Sequence, residues 1–543
     1  MRAFTQARPP WLAILLPVLC AALLYAPGFG GWWLGDDLTN LHHFHHWAEQ
    51  GRLWRESFAS FGQGISVEGS AWRPLSILSL AANQALAGSH YAGWYAANYA
   101  VHLANTALVA LLVLRLAAHA HVDGELAAAL AALAFALAPT LAEGVYWLSA
   151  RADGWVTLLT LAATWCWAGP AQSHPRAWMP LAVGGPLLLG LLFKESAGVF
   201  PLQLALLALA WPGRVGATRW IAVLLAFALL AAFFGWRAHL FGHAFWVYAA
   251  PGEPQAAVDW LDRLGAALAS GMPWWRALSA GGAPAWLYLC MLALAFVLAF
   301  LAADTAQRRI ALALLAAGGG MALATLLNLG GFLAHGEGGR LSYGPIAWTA
   351  LALGVLLARP LVNRPTRPLA VLAAAFAITS GALVLWSELG RVRNAQDGLA
   401  ALAGALPTQV RTHPGYSLLL VPEHAGQAVL LRNAQGAIAL PPIQTEGLLH
   451  RVLPTLPGEL ANRHERIAAG LLTRFEQHRF QHLLGDELRQ LYEPAPARWP
   501  DHYLCWSMAE QRFLELPAPD PGDAHAWTAT LLAQLPRCGL AER

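Results

Sequence analysis

The chain is poor in charge, in lysine and in cysteine, and each shortage narrows the class of protein. Only 12% of its 543 residues are charged and 57% are hydrophobic, whereas soluble domains usually carry about 25% charged residues. The net charge of +3 is too small to indicate a nucleic-acid partner. The chain has one lysine and no Asn-x-Ser/Thr acceptor site, as is typical of a high-GC bacterium.

What the chain does have is a series of apolar runs of roughly 17 to 25 residues, the length that crosses a bilayer as a helix. They predict a polytopic, mainly α-helical membrane protein. The predicted spans are 11–29, 92–117, 124–142, 153–169, 178–193, 197–212, 219–240, 284–303, 309–329, 342–358 and 368–387. We interpret the first as a retained helix, because no small-residue cleavage site precedes Gly28. The shorter run 74–87 is interpreted as interfacial or re-entrant.

Basic residues predict the orientation. With the N-terminus in the cytoplasm, the short connections on that side are basic, as the positive-inside rule requires; they hold Arg115, Arg176, Arg214, Arg219, Arg308, Arg309, Arg359, Arg364 and Arg367. The opposite connections mix signs; they hold Asp36, Asp37, Glu68, Arg73, Glu143, Arg151, Asp153, Lys194, Glu195, Glu337 and Arg340. Mixed-sign charges on one side favour a functional site, and the alternative is a set of structural ion pairs.

A more polar tail follows the last span. We predict two domains, a transmembrane module over 1–388 and a small soluble α/β domain over 389–543 on the outer, periplasmic side of a bacterial inner membrane. Strand-like runs at 416–424 and 428–440 and helical stretches near 457–493 and 524–536 support it. Cys505 and Cys538 lie in this tail, where a disulfide is permitted, although spacing alone does not establish one.

The first outer connection contains two adjacent acids, Asp36 and Asp37, in WWLGDDLTNL. Carboxylates beside a membrane span are costly and often functional. They can serve as a general base, orient an acceptor hydroxyl or bind a divalent cation, so metal dependence stays open. The alternative is helix capping. Four histidines follow within five positions and are metal candidates or part of an amphipathic interfacial helix; they are His42, His43, His45 and His46.

Two further polar features belong to the same side. Arg73 precedes Pro74, which can start a helix, so its guanidinium can hold a phosphate or extend to the interface. Asn98, His102 and Asn105 share one face of the second span. That face lines a cavity or forms hydrogen bonds between helices.

Three motifs are sharper. APTLAEGVYWLSARAD (138–153) contains Glu143, Arg151 and Asp153, and FKES (193–196) places the single lysine, Lys194, beside Glu195. HGEGGRLSYGP (335–345) contains Glu337, Arg340 and Tyr343. Its glycines let the backbone approach a ligand, and its arginine offers a bidentate phosphate contact.

In order and spacing, these motifs resemble the TMTC-type membrane glycosyltransferases of the GT-C superfamily, which also contains the protein O-mannosyltransferases. The segments that carry the resemblance, over roughly residues 30–350, are the DD loop, WRPLSILSLAANQALAG, WYAANYAVHLANTALVALL, AEGVYWLSARADGW, FKES and GGRLSYGP. Two departures are clear. Glu337 stands two glycines before Arg340 where the family has a Glu-Arg pair, and the tail replaces the TPR repeats of eukaryotic members.

The resemblance implies a GT-C fold and an enzyme that moves a sugar from a polyprenyl-phosphate donor to a protein or glycolipid acceptor at the outer membrane face. It implies a catalytic role for Asp36 or Asp37, and donor-phosphate contacts for Lys194, Arg340 and Arg151. We add Arg73 to the phosphate contacts. Supporting roles fall to Glu143, Asp153, Glu195, His102, Glu337 and Tyr343.

Two other functions compete. A transporter or flippase usually has charges near mid-membrane and two related halves, whereas here charges near mid-membrane are scarce and no related halves are visible in the sequence. A noncatalytic scaffold would not require the aspartate pair or Lys194.

Overall fold

A computed structural model describes residues 11–63, 71–119, 124–169, 178–244, 282–329, 338–358, 366–425, 428–431, 434–470, 500–519 and 523–540. Most of them are helical, as the apolar runs predict. The helices are α1 (Trp11–Tyr25), α2 (Asp36–Glu49), α3 (Leu53–Gln63), α4 (Pro74–Ala87), α5 (Tyr91–His119), α6 (Glu125–Ala136), α7 (Ala142–Tyr146), α8 (Arg151–Trp167), α9 (Met179–Phe193), α10 (Phe200–Ala210), α11 (Ala217–Phe241), α12 (Gly282–Ala302), α13 (Thr305–Leu329), α14 (Tyr343–Leu357), α15 (Thr366–Thr412), α16 (Pro457–Ala468) and α17 (Ala524–Leu532).

Within the described ranges, six helical segments are long and apolar enough to cross a membrane, or seven if one bent pair counts as a single span. The six are Trp11–Gly30, Tyr91–His119, Ala217–Phe241, Gly282–Ala302, Gly339–Leu357 and Pro368–Thr412. Large apolar side chains on these helices face outward, including Leu12, Leu224 and Leu383. The chain is therefore a multi-pass membrane protein. The larger number of spans inferred from the sequence stays a prediction.

Small residues allow the helices to approach one another closely. At Gly354 in α14, an added Cβ would lie 2.5 Å from the Val113 side chain of α5 and 2.9 Å from Ala131 of α6. A larger residue would overlap these side chains, so only a glycine fits this crossing. Helices in a bilayer associate through such close van der Waals packing.

The bend between α6 and α7 positions the candidate site. Pro139 cannot continue α6, and the residue before it, Ala138, is extended with ψ 126°, as steric contact with a following proline favours. The chain then turns by 49°. A 3₁₀ turn (Pro139–Leu141), α7, a second 3₁₀ turn (Leu148–Ala150) and the start of α8 follow without a long loop.

Helix α15 is longer than the span predicted at 368–387, because it continues to Thr412. Beyond Glu388 its buried residues recur at helical spacing, among them Val392, Ala395, Leu399 and Leu402. That face packs against the polar tail. The predicted domain boundary at 388/389 falls inside this helix, and the division into 1–388 and 389–543 stays a prediction.

The tail contains a four-stranded mixed sheet, in the order β4-β1-β5-β6. Its strands are β1 (Ser417–Leu420), β4 (Val452–Thr455), β5 (His502–Ser507) and β6 (Arg512–Glu515), and a separate hairpin pairs β2 (His424–Ala425) with β3 (Ala428–Val429). Strand β1 is parallel to β4 and β5, whereas β6 is antiparallel to β5. A disulfide joins Cys505 to Cys538.

The tail differs from the sequence expectations in detail. The run 428–440 is not one strand, since after β3 it ends in a 3₁₀ turn at Gln435–Ala439. The predicted helix 457–493 is α16 up to Ala468, and its part from 471 lies outside the described residues. Strands β4 to β6 were missed. Strands β4 and β5 are almost wholly buried and so lack the alternation that reveals half-buried strands, and β6 has only four residues.

Candidate functional site

The segment from Pro139 to Asp153, here called the 139–153 segment, brings the predicted site residues together. It follows the bend after α6 and ends in the first turn of α8. Three points along it contact three different parts of the chain. These contacts involve Glu143, the backbone at Leu148 and Ser149, and Asp153.

Asp37 holds the middle of this segment. One carboxylate oxygen accepts hydrogen bonds from the Ser149 backbone N–H at 2.7 Å and from its hydroxyl at 2.6 Å. The other accepts from the backbone N–H of Leu148 at 3.1 Å and of Leu34 at 3.4 Å. Asp37 is only 1% exposed, so its carboxylate points into the protein and not into bulk solvent.

The two aspartates have different surroundings. Burial raises the pKa of Asp37 to about 7, the hydrogen bonds from Ser149 and Leu148 oppose the rise, and the charge of Asp36 adds to it. Asp36 is only partly buried. Gly35 precedes α2 as its N-cap and no side chain caps the helix. The aspartates are the first two helical residues, where the helix dipole favours negative charge.

Glu143 and Arg340 form the second contact. The guanidinium pairs with one Glu143 oxygen, and the backbone N–H groups of Gly338 and Arg340 donate to the other at 2.9 and 3.1 Å. The guanidinium also lies 4.2 Å from the centroid of the Trp147 ring, a cation–π distance.

The glycines before Arg340 approach the backbone of the 139–153 segment, whereas the sequence predicted that they let the backbone approach a ligand. A Cβ at Gly339 would lie 2.4 Å from the Thr140 carbonyl oxygen. Gly338 has φ 110°, a conformation that side chains disfavour. Glu337 lies outside the described residues.

Lys194 makes the third contact. Its ammonium donates to both Asp153 oxygens, at 2.7 and 2.8 Å. The next residue, Glu195, receives two hydrogen bonds from Arg73, one of them from Nε at 2.9 Å. Four charged side chains thus form one ionic cluster at the junctions of α4, α8 and α9.

Arg237 belongs beside this cluster, and sequence reasoning missed it. It lies in α11, is 2% exposed, and is close enough for its charge to interact with Glu195 and Arg73. The signal was available, because a lone arginine near the end of the apolar run LLAAFFGWRAHLF is costly in a membrane unless it has a function or a partner. With it, the cluster has three cations and two anions.

Arg151 is a buried cation that joins two elements. Its Nε donates to the Leu148 carbonyl at 3.1 Å, and one amino group donates to the Ser79 carbonyl at 3.2 Å and to Asn83. The other amino group is buried and has no hydrogen-bond partner among the described residues. Arg151 therefore fixes α4 against the 139–153 segment, and the N–H groups of its second amino group make no hydrogen bond to the described residues.

The polar face of α5 contacts the same region. Asn98 donates to the Val145 carbonyl at 3.3 Å and Asn105 to the Gly154 carbonyl at 3.0 Å. His102 Nε2 lies 3.3 Å from the Ala136 carbonyl, so this nitrogen carries the proton, and Nδ1 accepts from the Tyr343 hydroxyl at 2.7 Å. These side chains are buried and form the hydrogen bonds between helices that the sequence left as one alternative.

The histidines of α2 are not brought together as ligands. His42 Nδ1 donates to the Pro441 carbonyl, His45 pairs with Glu49 at 3.2 Å, His46 accepts from Gln50 Nε2 at 2.8 Å, and His43 stacks on Trp47. Burial lowers the pKa of His43 to about 4. In the part of the chain that the structure describes, no three metal-ligating side chains converge.

All three contacts occur within eleven consecutive residues, from Glu143 to Asp153. A cavity of about 40 Å³ opens beside the Glu143–Arg340 pair, and Thr140, Tyr146, Trp147 and Glu388 are among its lining residues. The fold and this region define a multi-pass helical membrane protein with a dense ionic region at one end of its bundle.

No family model and no curated protein matches this chain. Its overall structure is similar to several solved structures, three of which follow. The arabinofuranosyltransferase AftD from Mycobacteria is 17% identical over 79% of this chain, with a TM-score of 0.45, and this chain spans 31% of its length. ArnT from Cupriavidus metallidurans, solved bound to undecaprenyl phosphate, is 13% identical, with 86% and 96% of the two chains covered and a TM-score of 0.44. AglB from Archaeoglobus fulgidus, an oligosaccharyltransferase solved with an inhibitory peptide and a dolichol-phosphate, is 12% identical, with 78% and 64% covered and a TM-score of 0.45.

Proposed function

We propose that this protein is a glycosyltransferase that moves a sugar from a polyprenyl-phosphate donor to a hydroxyl of a protein or glycolipid acceptor. The observation that carries the proposal is the convergence of Asp37, Arg340 and Lys194, which lie far apart in the sequence, on the 139–153 segment. Structural ion pairs alone would not require the connections of four different helix pairs to meet at one end of the bundle.

The cluster around Lys194 supports a phosphate site. Three cations, Arg73, Lys194 and Arg237, lie close together with two anions, Asp153 and Glu195, so a lipid phosphate bound there would interact with more than one cation. Arginine and lysine in a partly dry pocket stabilise the charge that develops on a departing phosphate. Arg340 and Arg151 are the remaining candidates for this role.

Asp36 is the proposed general base, because it is partly exposed whereas Asp37 is buried. Asp37 is a positioning residue that clamps Leu148 and Ser149. The acceptor oxygen attacks the anomeric carbon, the carbon–oxygen bond to phosphate breaks, the hydroxyl proton passes to Asp36, and polyprenyl phosphate leaves with the bonding electron pair. A single in-line attack inverts the anomeric configuration, and detection of a covalent glycosyl-enzyme would contradict it.

The supporting residues have defined places in this scheme. Glu143, Asp153 and Glu195 hold the cations, while His102 and Tyr343 fix the helices beneath the segment. Glu337 stays a candidate from the sequence. The location proposed is a bacterial inner membrane, with the N-terminus cytoplasmic and the tail periplasmic, because the basic connections require this orientation.

The experiment uses the full chain purified into lipid vesicles, with polyprenyl-phosphate sugars as donors and a membrane extract of the source organism as acceptor. General-base catalysis contributes about 10²–10⁴-fold, so Asp36→Asn should lose at least 100-fold of product formation. Lys194→Ala should lose activity through weaker donor binding. Matched controls are Glu125→Gln and Arg214→Ala, two exposed residues at the opposite end of the helices.

The outcomes separate the competing functions. Full product formation by folded Asp36→Asn, Asp37→Asn and Lys194→Ala proteins would overturn the catalytic proposal. Movement of a lipid-linked substrate across the vesicle membrane without any glycosylated product would identify a transporter or flippase instead.

A further inference from the structure

An open groove lies between the tail and the membrane module. Neither the ionic cluster around Lys194 nor the Glu143–Arg340 pair lines it. Its volume is about 840 Å³, within the range of about 300–1,000 Å³ that is usual for small-molecule sites. One wall is the C-terminal part of α15, including Gly404 and Arg411. A second wall is the tail loop with Glu446 and His450, and a third contains Trp32. The proposed phosphate site does not explain why this groove is present.

The groove includes two residues that precede the aspartate pair in the sequence. Trp32 and Trp33 line it and stand only three or four residues before Asp36, a reach of at most about 14 Å. Leu41 of α2 also lines it. A ligand that contacts these tryptophans therefore lies near the segment that carries the proposed base.

The walls are fixed to one another by hydrogen bonds. The Gly35 N–H donates to the Leu430 carbonyl at 2.6 Å, which joins the aspartate loop to the tail. Gln444 donates to the Ala403 carbonyl of α15 at 3.0 Å. Arg451 donates to the Val410 carbonyl at 2.9 Å. The groove is thus a built feature of this chain and not a gap between loosely placed parts.

Its height along α15 indicates which kind of ligand can enter. Trp386 is an exposed aromatic residue of the kind that marks a membrane interface, and charged residues follow it. The groove-lining residues of α15 run from Ala400 to Arg411, which places them about 20–37 Å further along the helix axis at 1.5 Å per residue. A ligand there comes from the aqueous phase, beyond the reach of a lipid tail.

The lining favours a hydroxyl-rich ligand. Glu446, Thr445 and Ser89 offer acceptors, and Arg411 offers donors that bind paired oxygens. Trp32 also lines the groove, and an indole ring has a flat apolar face of the kind on which the C–H side of a sugar ring can stack. The lining also contains apolar residues, among them Val410, Ile443 and Leu448, so an extended polypeptide is the competing ligand that the test below includes.

We propose that this groove is the acceptor site and that the acceptor is a carbohydrate chain, whose terminal hydroxyl reaches Asp36 while its preceding sugar units lie between α15 and the tail. This inference rests on the proposed function, because it assigns the second substrate of that reaction. The chemical class follows from the lining residues and from their distance above the membrane.

The test blocks the groove without disturbing the fold. Gly404 is exposed, and an added Cβ there meets no atom within 4 Å, so Gly404→Cys is tolerated. Modification by a bulky maleimide then fills the groove. Gly390→Cys is the matched control, since Gly390 is exposed in the same helix with equal free space and lies outside the groove. Both are made in a background with Cys20, Cys166 and Cys290 changed to serine.

Two readouts follow. Modified Gly404→Cys should lose at least tenfold of transfer to acceptor and keep its binding of lipid-linked donor, whereas modified Gly390→Cys should keep both. Separately, saturation-transfer NMR should show chitotetraose or trigalacturonate bound to the unmodified protein and displaced after modification at Gly404. A serine-containing peptide of similar length should not bind.

The outcomes test the acceptor groove separately from the proposed glycosyltransferase activity. Unchanged transfer and unchanged oligosaccharide binding after modification at Gly404 would overturn the acceptor groove. Binding of the peptide in place of both oligosaccharides, or binding of neither oligosaccharide, would overturn the carbohydrate assignment. If the wild-type protein transfers no sugar but binds oligosaccharide at the groove, the glycosyltransferase proposal fails and the carbohydrate site stands. Asp36→Asn should keep oligosaccharide binding.

Discussion

Removal of the Lys194 ammonium tests the structural and the functional roles of its ion pair at once. Lys194 makes two short contacts to Asp153, and both side chains are close to 10% exposed, at 12% and 8%. Breaking a buried ion pair by removing one partner costs about 3–5 kcal/mol, because the other charge is left uncompensated. We expect Lys194→Ala to be destabilised by about this amount.

A double-mutant cycle separates the two roles. Asp153→Asn alone should also destabilise the protein, because it leaves the ammonium unpaired. Lys194→Met combined with Asp153→Leu replaces both charges by apolar groups, a change that is often neutral or stabilising. We therefore expect the double variant to recover most of the lost stability. Transfer activity should stay absent, because a methionine cannot hold a phosphate.

The assay is denaturant or thermal unfolding of the full chain in detergent, together with sugar transfer in vesicles. The exposed pair Arg52–Glu56, with side chains 44% and 29% exposed, is the matched control, and Arg52→Ala should cost about 1 kcal/mol or less. A Lys194→Ala protein as stable as wild type would refute the burial reasoning. Recovery of activity in the double variant would show that Lys194 is purely structural.

Three further predictions concern other points of the site. Because burial raises the pKa of Asp37 to about 7, the folded state keeps a proton that the unfolded state has lost, so stability falls as pH rises from about 4 to 7, by at most about 1.4 kcal/mol per pH unit. Asp37→Asn should lack this slope in unfolding measured at pH 5 and pH 7, and equal slopes would contradict the shift. Gly339→Ala places a Cβ 2.4 Å from the Thr140 carbonyl oxygen and should lower the unfolding free energy by about 1–3 kcal/mol through overpacking; an unchanged melting temperature would count against the close approach. Arg340→Lys keeps the charge but loses the planar contacts, including that with Trp147, and should weaken transfer about tenfold, equivalent to about 1.4 kcal/mol; activity equal to wild type would show that a point charge suffices.

Much of the membrane module was readable from the sequence, because hydrophobic length is a strong local signal. Helix α5 was predicted at 92–117 and is Tyr91–His119, and α11 was predicted at 219–240 and is Ala217–Phe241. The extension of α15 to Thr412 was missed, since its upper part is polar on one side and is stabilised by packing against the tail. Strands β4 and β5 were missed for a related reason, because their burial depends on a sheet whose order brings together residues 417, 452 and 502.

The sequence named several of the side chains that the structure brings together, but not their pairing, and their roles stay a prediction. The sequence placed Asp37, Arg340 and Lys194 at one membrane face through topology alone. It did not show that Ser149 receives Asp37 or that Asp153 receives Lys194, because such partners are set by helix packing between distant segments. Arg237 was overlooked, although a guanidinium within an apolar run was a usable signal.

The sequence by itself determined that this protein crosses a membrane several times and concentrates mixed-sign charge in one set of connections, since both follow from the cost of placing charge in hydrocarbon. Only the tertiary structure decided which acidic side chain pairs with which basic side chain. The bend at Pro139 places the 139–153 segment where three distant connections reach it, and the docking of the tail on α15 forms the groove beside the aspartate loop. Both arrangements depend on contacts between residues hundreds of positions apart, which local patterns do not encode.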